Sequence, residues 1–126
     1  MSGAEGVAGP AATEVVTEDV TEDVVVRDEP ARHRYEGRID AQLAAIAEYL
    51  STRQFLVFSH TEVLPGFEGR GVATATVRGA LDDVRRRGLH VVPLCPFVAA
   101  FIRRNADRYA DLVFTSSTPD SLVPGD

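Results

Sequence analysis

The chain of 126 residues carries 13 basic against 19 acidic residues, a formal net charge of −6, and one cysteine. That balance argues against generic binding to nucleic acid or an acidic membrane surface, and a lone cysteine rules out an internal disulfide or a multi-thiolate zinc site. All 13 basic residues are arginine, so a lysine-dependent phosphate loop and Schiff-base chemistry are excluded. A hydrophobic content of 44% suits one domain with one modest core. No apolar run is long enough to span a bilayer, and the N-terminus lacks a basic-then-apolar signal, so a soluble, cytoplasmic protein is expected.

In chain order, residues 1–22 are small, acidic and aperiodic, and read as a disordered acidic tail. The folded domain is expected over 23–114, with a flexible C-terminal tail, rich in Ser, Thr, Pro and Gly, over 115–126. Val24-Val25-Val26 is a short strand ended at Asp28-Glu29-Pro30. Arg32 to Ile39 alternates weakly and reads as a second strand, with a turn near Gly37 or Asp40. Ala41 to Leu50 is ambiguous, because Leu43, Ile46, Ala47 and Leu50 satisfy a helical stripe. Phe55 to Val63 is the best strand. Simple alternation puts Phe55, Val57, Ser59, Thr61 and Val63 on one face and Leu56, Phe58, His60 and Glu62 on the other.

Gly71 to Arg87 reads as a helix with Ala73, Val77, Ala80, Leu81 and Val84 as its buried stripe, and Gly88 ends it. Asp82/Arg86 and Asp83/Arg87 are expected as pairs four apart on its wet side. His90 to Leu94 is another strand and Pro96 to Arg104 another helix. Strand-helix-strand-helix after several strands implies an α/β sheet with a crossover. Pro93 cannot donate a ladder hydrogen bond, so one side of its strand is expected to be unpaired. That edge is either a solvent-facing edge or a slot for an extended ligand arm.

Between strand and helix lies Pro65-Gly66 followed by Gly69-Arg70-Gly71. A helix start leaves amides without internal partners and adds partial positive charge, and glycines let an anion approach the main chain. Arg70 can add a charge-assisted contact. The residues allow a diphosphate cradle or an ordinary turn.

Three segments together resemble the GNAT superfamily of acetyl-CoA-dependent N-acetyltransferases. They resemble most closely its minimal branch of N-acetyltransferase domain-containing protein 1-like (YjdJ-like) proteins. The superfamily pattern, Gln or Arg, two residues, Gly, one residue, Gly or Ala, reads here Glu68-Gly69-Arg70-Gly71-Val72-Ala73 and departs at its first position. His60-Thr61-Glu62-Val63 before the loop and Val91-Val92-Pro93-Leu94-Cys95-Pro96-Phe97-Val98 after the helix resemble the small branch at the expected separation. The similarity covers about residues 24–114.

The resemblance implies an α/β (α+β) fold: a small mixed sheet whose fourth and fifth strands splay, with two main helices and Ala41 to Leu50 as the third strand. It implies acetyl-CoA as cosubstrate, the backbone of Val63 aligning the pantetheine arm, and Arg70, Gly71, Val72, Ala73 and Thr74 at the pyrophosphate. The acceptor would be an amine: a protein lysine, a polyamine or a small amine. A tyrosine that many members use as general acid is replaced by Ile102.

Acetyl transfer requires a deprotonated amine, a polarised thioester carbonyl and protonation of the leaving thiolate. His60 and Glu62, two residues apart on one strand, are candidates to relay a proton, against a plain reading of a hydrogen-bonded histidine and an exposed strand carboxylate. Cys95, at a strand end before a proline-started helix, is the candidate thiol or acid, against a small buried hydrophobe. Histidine and cysteine show no metal-ligand spacing, and no metal is expected. The expected protein is a direct-transfer N-acetyltransferase, monomeric or weakly dimeric, with a CoA- or acyl-CoA-binding module of little turnover as the alternative.

Overall fold

The computed structural model describes residues 14–15 and 23–115. Five strands, β1 (Val24–Glu29), β2 (Arg34–Ile39), β3 (Gln42–Ser51), β4 (Phe55–Val63) and β5 (His90–Pro93), form a mixed sheet in that order. Neighbours are antiparallel up to β4, and β4 and β5 run parallel. Helix α1 (Val72–Arg86) makes the β4-to-β5 crossover, and α2 (Pro96–Arg104) and the single turn α3 (Ala106–Tyr109) follow β5. A two-residue strand, Glu14–Val15, pairs with Val24 and Val25 at the β1 edge, and Val113 bridges Val91 at the other. Glu14 and Val15 fall within the expected acidic tail. The remainder of that tail, and residues 116–126, lie outside the described residues.

The ambiguous alanine-rich segment is strand β3, as the family resemblance implied. Its place between β2 and β4 buries Ala44, Ala45, Ile46 and Ala47 together, and ladder pairing on both sides overrides local helical preference. The preceding turn is not at Gly37, which lies within β2. It falls at Asp40 and Ala41, whose φ values of 50° and 70° give the doubly left-handed turn that matches hairpin twist.

α1 buries Val72, Ala75, Thr76, Val77, Ala80, Leu81 and Val84. All of these but Thr76 pack on Val24, Val26, Tyr35, Ile39, Tyr49, Leu56 and Phe58 in one hydrophobic cluster. Ala73, expected in the buried stripe, is only half-buried. The helix ends as a Schellman motif, with Gly88 N–H bonded to Arg85 C=O and Leu89 N–H to Val84 C=O, both at 3.1 Å. α2 lies beside α1, where the Arg78 guanidinium covers the Phe101 ring and Tyr109 bonds Asp82 at 2.7 Å. The expected Asp82–Arg86 pair is therefore absent: Asp82 serves Tyr109, and Arg86 pairs with Asp83 at 2.8 Å.

A polar network fastens the C-terminal end of α1 to the sheet. Tyr35 donates to Asp83 at 2.6 Å, Tyr49 donates to Asp28 at 2.5 Å, and Arg87 bonds Asp28, Asp83 and the Tyr35 hydroxyl at 3.1, 3.3 and 3.1 Å. Burial and the adjacent carboxylates push both phenols well above their ordinary range.

Candidate active site

The β4–β5 ladder runs from Phe55↔His90 to Phe58↔Pro93 and stops there. One further bond, Cys95 N–H to Phe58 C=O at 2.9 Å, closes the seam before the chain turns into α2. From Ser59 to Val63, β4 has a paired strand only on its β3 side. The missing amide of Pro93 and the turn at Leu94 thus open a slot between two parallel strands, one of the two alternatives the proline left open.

β4 does not alternate simply. The register passes from Tyr49↔Phe58 to Glu48↔His60, so Ser59 is an extra residue, a β-bulge that reverses the alternation. Leu56 and Phe58 face α1, and past the bulge Thr61 and Val63 do so. Val63 packs against the core, and the Thr61 hydroxyl lies 3.4 Å from Cys95 Sγ. His60 and Glu62 share the opposite face, 3.1 Å apart and each about half exposed (54%). The face assignment expected from strict alternation therefore holds only for the first half of β4.

At the end of β4 the chain runs through left-handed Gly66, Gly69 and Gly71, with φ values of 93°, 77° and 73°. Gly71 is the N-cap of α1 and offers no side-chain cap. The first intrahelical bond is Ala75 N–H to Gly71 C=O at 3.1 Å, so the amides of Val72, Ala73 and Thr74 have no partner within the helix. Val72 turns its side chain into the core and offers only its main chain, while Ala73 and Thr74 are half-buried. Arg70 reaches back to Gly66 C=O at 3.2 Å and lies over the Phe67 ring, which holds its charge beside the loop. Glu68 accepts from Gly66 N–H at 3.0 Å.

The strand slot thus lies before an uncapped, glycine-lined helix start. The family described as GCN5-related N-acetyl-transferase matches residues 34–112, which span β2 to the turn after α3. The chain belongs to that family. A GCN5-like protein from Staphylococcus aureus, solved by NMR, has a similar fold at a TM-score of 0.51 and 15% identity, covering 84% of this chain and 99% of that one. Comparison with curated proteins gave no significant match.

For a GCN5-related acetyltransferase the site has two sides. Cys95 is the N-cap of α2, with residue exposure of 4%, and sits on the α1 side of β4 with Thr61. His60 and Glu62 sit on the other side. That second face also carries Glu36, buried between Arg34 (2.8 Å) and Arg38 (2.7 Å). Although burial works against ionisation, the two guanidiniums outweigh it and hold the Glu36 carboxyl below its usual range. Ile102 is buried in the core and supplies no proton donor. Among the described residues no group of three metal-binding side chains occurs, and no helix is long and apolar enough to cross a membrane.

Sequence reasoning missed Thr61, Gly37 and Thr76. The contact of Thr61 with Cys95 depends on a bulge that has no local sequence mark. For Gly37 the signal is a glycine inside a strand; of the two turn positions the sequence allows, Gly37 or Asp40, the structure takes Asp40.

Proposed function

We propose that this protein is an acetyl-CoA-dependent N-acetyltransferase that transfers acetyl directly to an amine. The observation that carries this reading is the slot beyond the Phe58–Pro93 pair leading to the free amides at Val72, Ala73 and Thr74. These amides, with Gly71 and Arg70, suit the diphosphate, and the free main-chain edge at Val63 suits the pantetheine amides. A Cβ-free, left-handed Gly71 keeps the approach open.

The two faces of β4 divide the proton work. The donor thioester enters the slot beside Cys95, and the acceptor approaches on the His60–Glu62 face. His60, oriented by Glu62, takes the proton of the amine. The lone pair of the amine nitrogen then forms the C–N bond as the C–S bond breaks. The Cys95 thiol gives its proton to the departing thiolate and regains one from the site through water. Each proton removed from nitrogen is thereby returned to sulfur. The exposed Glu62 carboxylate on this face suits a cationic acceptor, a protein lysine, a polyamine or a small amine, in a cytoplasmic setting.

Calorimetric titration with acetyl-CoA, paired with an acceptor-amine screen read by thiol release, tests this reading. Saturable binding with amine-dependent release is the expected result. Binding without release for any amine would favour a CoA-binding module, a reading that the buried, hydroxyl-free Ile102 keeps in view. Absence of binding would overturn both.

A further inference from the structure

The main chain of Cys95 is pinned from both sides: its N–H bonds Phe58 C=O at 2.9 Å, and its C=O accepts from Ala99 N–H at 2.9 Å. One torsion, the rotation about Cα–Cβ, is left to decide where the sulfur points. The hydroxyl of Thr61 meets Sγ at 3.4 Å across the mouth of the slot. Thr61 is β-branched and sits on a paired strand, so its own rotamer is restricted. It faces Cys95 only because the extra residue Ser59 reverses the alternation of β4.

We propose that Thr61 is the positioning residue of Cys95, its hydroxyl holding Sγ at the slot and donating a hydrogen bond to the sulfur once the thiol has given up its proton. The inference rests on the reading of Cys95 as the acid for the leaving thiolate. With the thiol neutral either group can donate, but against a thiolate only the hydroxyl can. The S–H bond of Cys95 breaks as the S–H bond of CoA forms, and the charge left on Sγ is met by the Thr61 O–H until a proton returns.

Few other groups compete for that role. On β4, His60 and Glu62 lie on the opposite face. On β5, His90 is exposed at the far end of the strand, and on α2, Arg103 and Arg104 are exposed in the last turn. On α1, Arg78 is engaged with the Phe101 ring.

Cys95 is the chain's only cysteine, so thiolate absorbance near 240 nm, corrected with Cys95→Ala, reports on it alone. In Thr61→Val, a near-isostere without the hydroxyl, the midpoint for thiolate formation should rise by about half a pH unit or more. Turnover should fall about three- to ten-fold with CoA affinity unchanged. Thr61→Ser should restore both. An unmoved midpoint in a folded Thr61→Val protein would overturn the proposal. Should that variant not fold, Thr61→Ala against Thr61→Ser makes the same comparison. Normal turnover in Cys95→Ala would remove the acid role of Cys95 instead, and the thiol titration would still decide whether Thr61 holds the sulfur.

Discussion

A Cβ atom added at Gly37 would stand 2.1 Å from the hydroxyl oxygen of Thr76. Gly37 lies in the middle of β2, and Thr76, fully buried on α1, donates to Val72 C=O at 2.8 Å. The helix therefore rests on the bare backbone of the strand one turn after the amides proposed for the diphosphate. Close seating here fixes how far the start of α1 stands from the end of β4.

Gly37→Ala should accordingly destabilise the protein by about 1–3 kcal/mol, the usual cost of overpacking. Adding Thr76→Ala removes the 2.1 Å contact and should recover part of that loss. Urea unfolding of the two single variants and the double variant checks the coupling. Strictly additive losses would mean that the contact relaxes without cost.

Gly71→Val should weaken CoA binding at least ten-fold, about 1.4 kcal/mol. The new side chain would crowd the amides of Val72 and Ala73 and would also strain a residue with φ of 73°. Arg70→Ala should cost less, and its cost should shrink as salt rises. Calorimetry on folded variants decides, and unchanged affinity in Gly71→Val would refute the cradle.

For Cys95→Ala the expected result is a ten- to hundred-fold lower rate with CoA affinity retained. The stability cost should be on the order of 1 kcal/mol, as for a small truncation in the core. One added acetyl group on donor-treated wild-type protein, absent from the variant, would instead assign an acetyl-enzyme route. Unchanged turnover would move the proton work to His60 and Glu62.

Glu36 titrates below its ordinary value of 4.5 in the folded protein because Arg34 and Arg38 hold its ionised form. A depressed native value contributes stability above the unfolded value, and that contribution is lost as the pH falls through the native one. The urea midpoint of the wild type should therefore exceed that of Glu36→Gln at neutral pH, and the two should converge in acid below 4.5. A constant difference across that range would show that the ion pairs do not carry it.

All three tyrosines donate to aspartates: Tyr35 to Asp83, Tyr49 to Asp28 and Tyr109 to Asp82. Burial and the neighbouring carboxylate push Tyr109 up to about 12, and the other two are raised as well. Raised native values stabilise the fold below the ordinary phenol range, and that stability is lost as the pH climbs through them. Tyrosinate absorbance at 295 nm should thus stay low at about pH 10 and appear together with loss of the far-ultraviolet dichroism. A free titration near the ordinary phenol value, with the fold intact, would refute the three hydrogen bonds.

Much of this protein is fixed by local pattern. The bounds of β4, the body of α1 and its glycine terminator follow from alternation and helical period, properties of short segments, whereas β5 stops at Pro93, one residue before the expected Leu94. The glycine loop was visible too, because residues without Cβ take positive φ at least cost, and three such positions fall within six residues here. What the chain alone left open needed the partners of each segment. Most of the segment from Ala41 to Leu50 is strand, in β3 (Gln42–Ser51), because β2 and β4 bracket it, and pairing on two sides outweighs the helical preference of alanine and leucine. Thr61 meets Cys95, and His60 and Glu62 turn away from it, because one extra residue on β4 shifts its register against β3. That shift is a property of two strands together, and neither one alone encodes which side of the sheet its catalytic candidates will occupy.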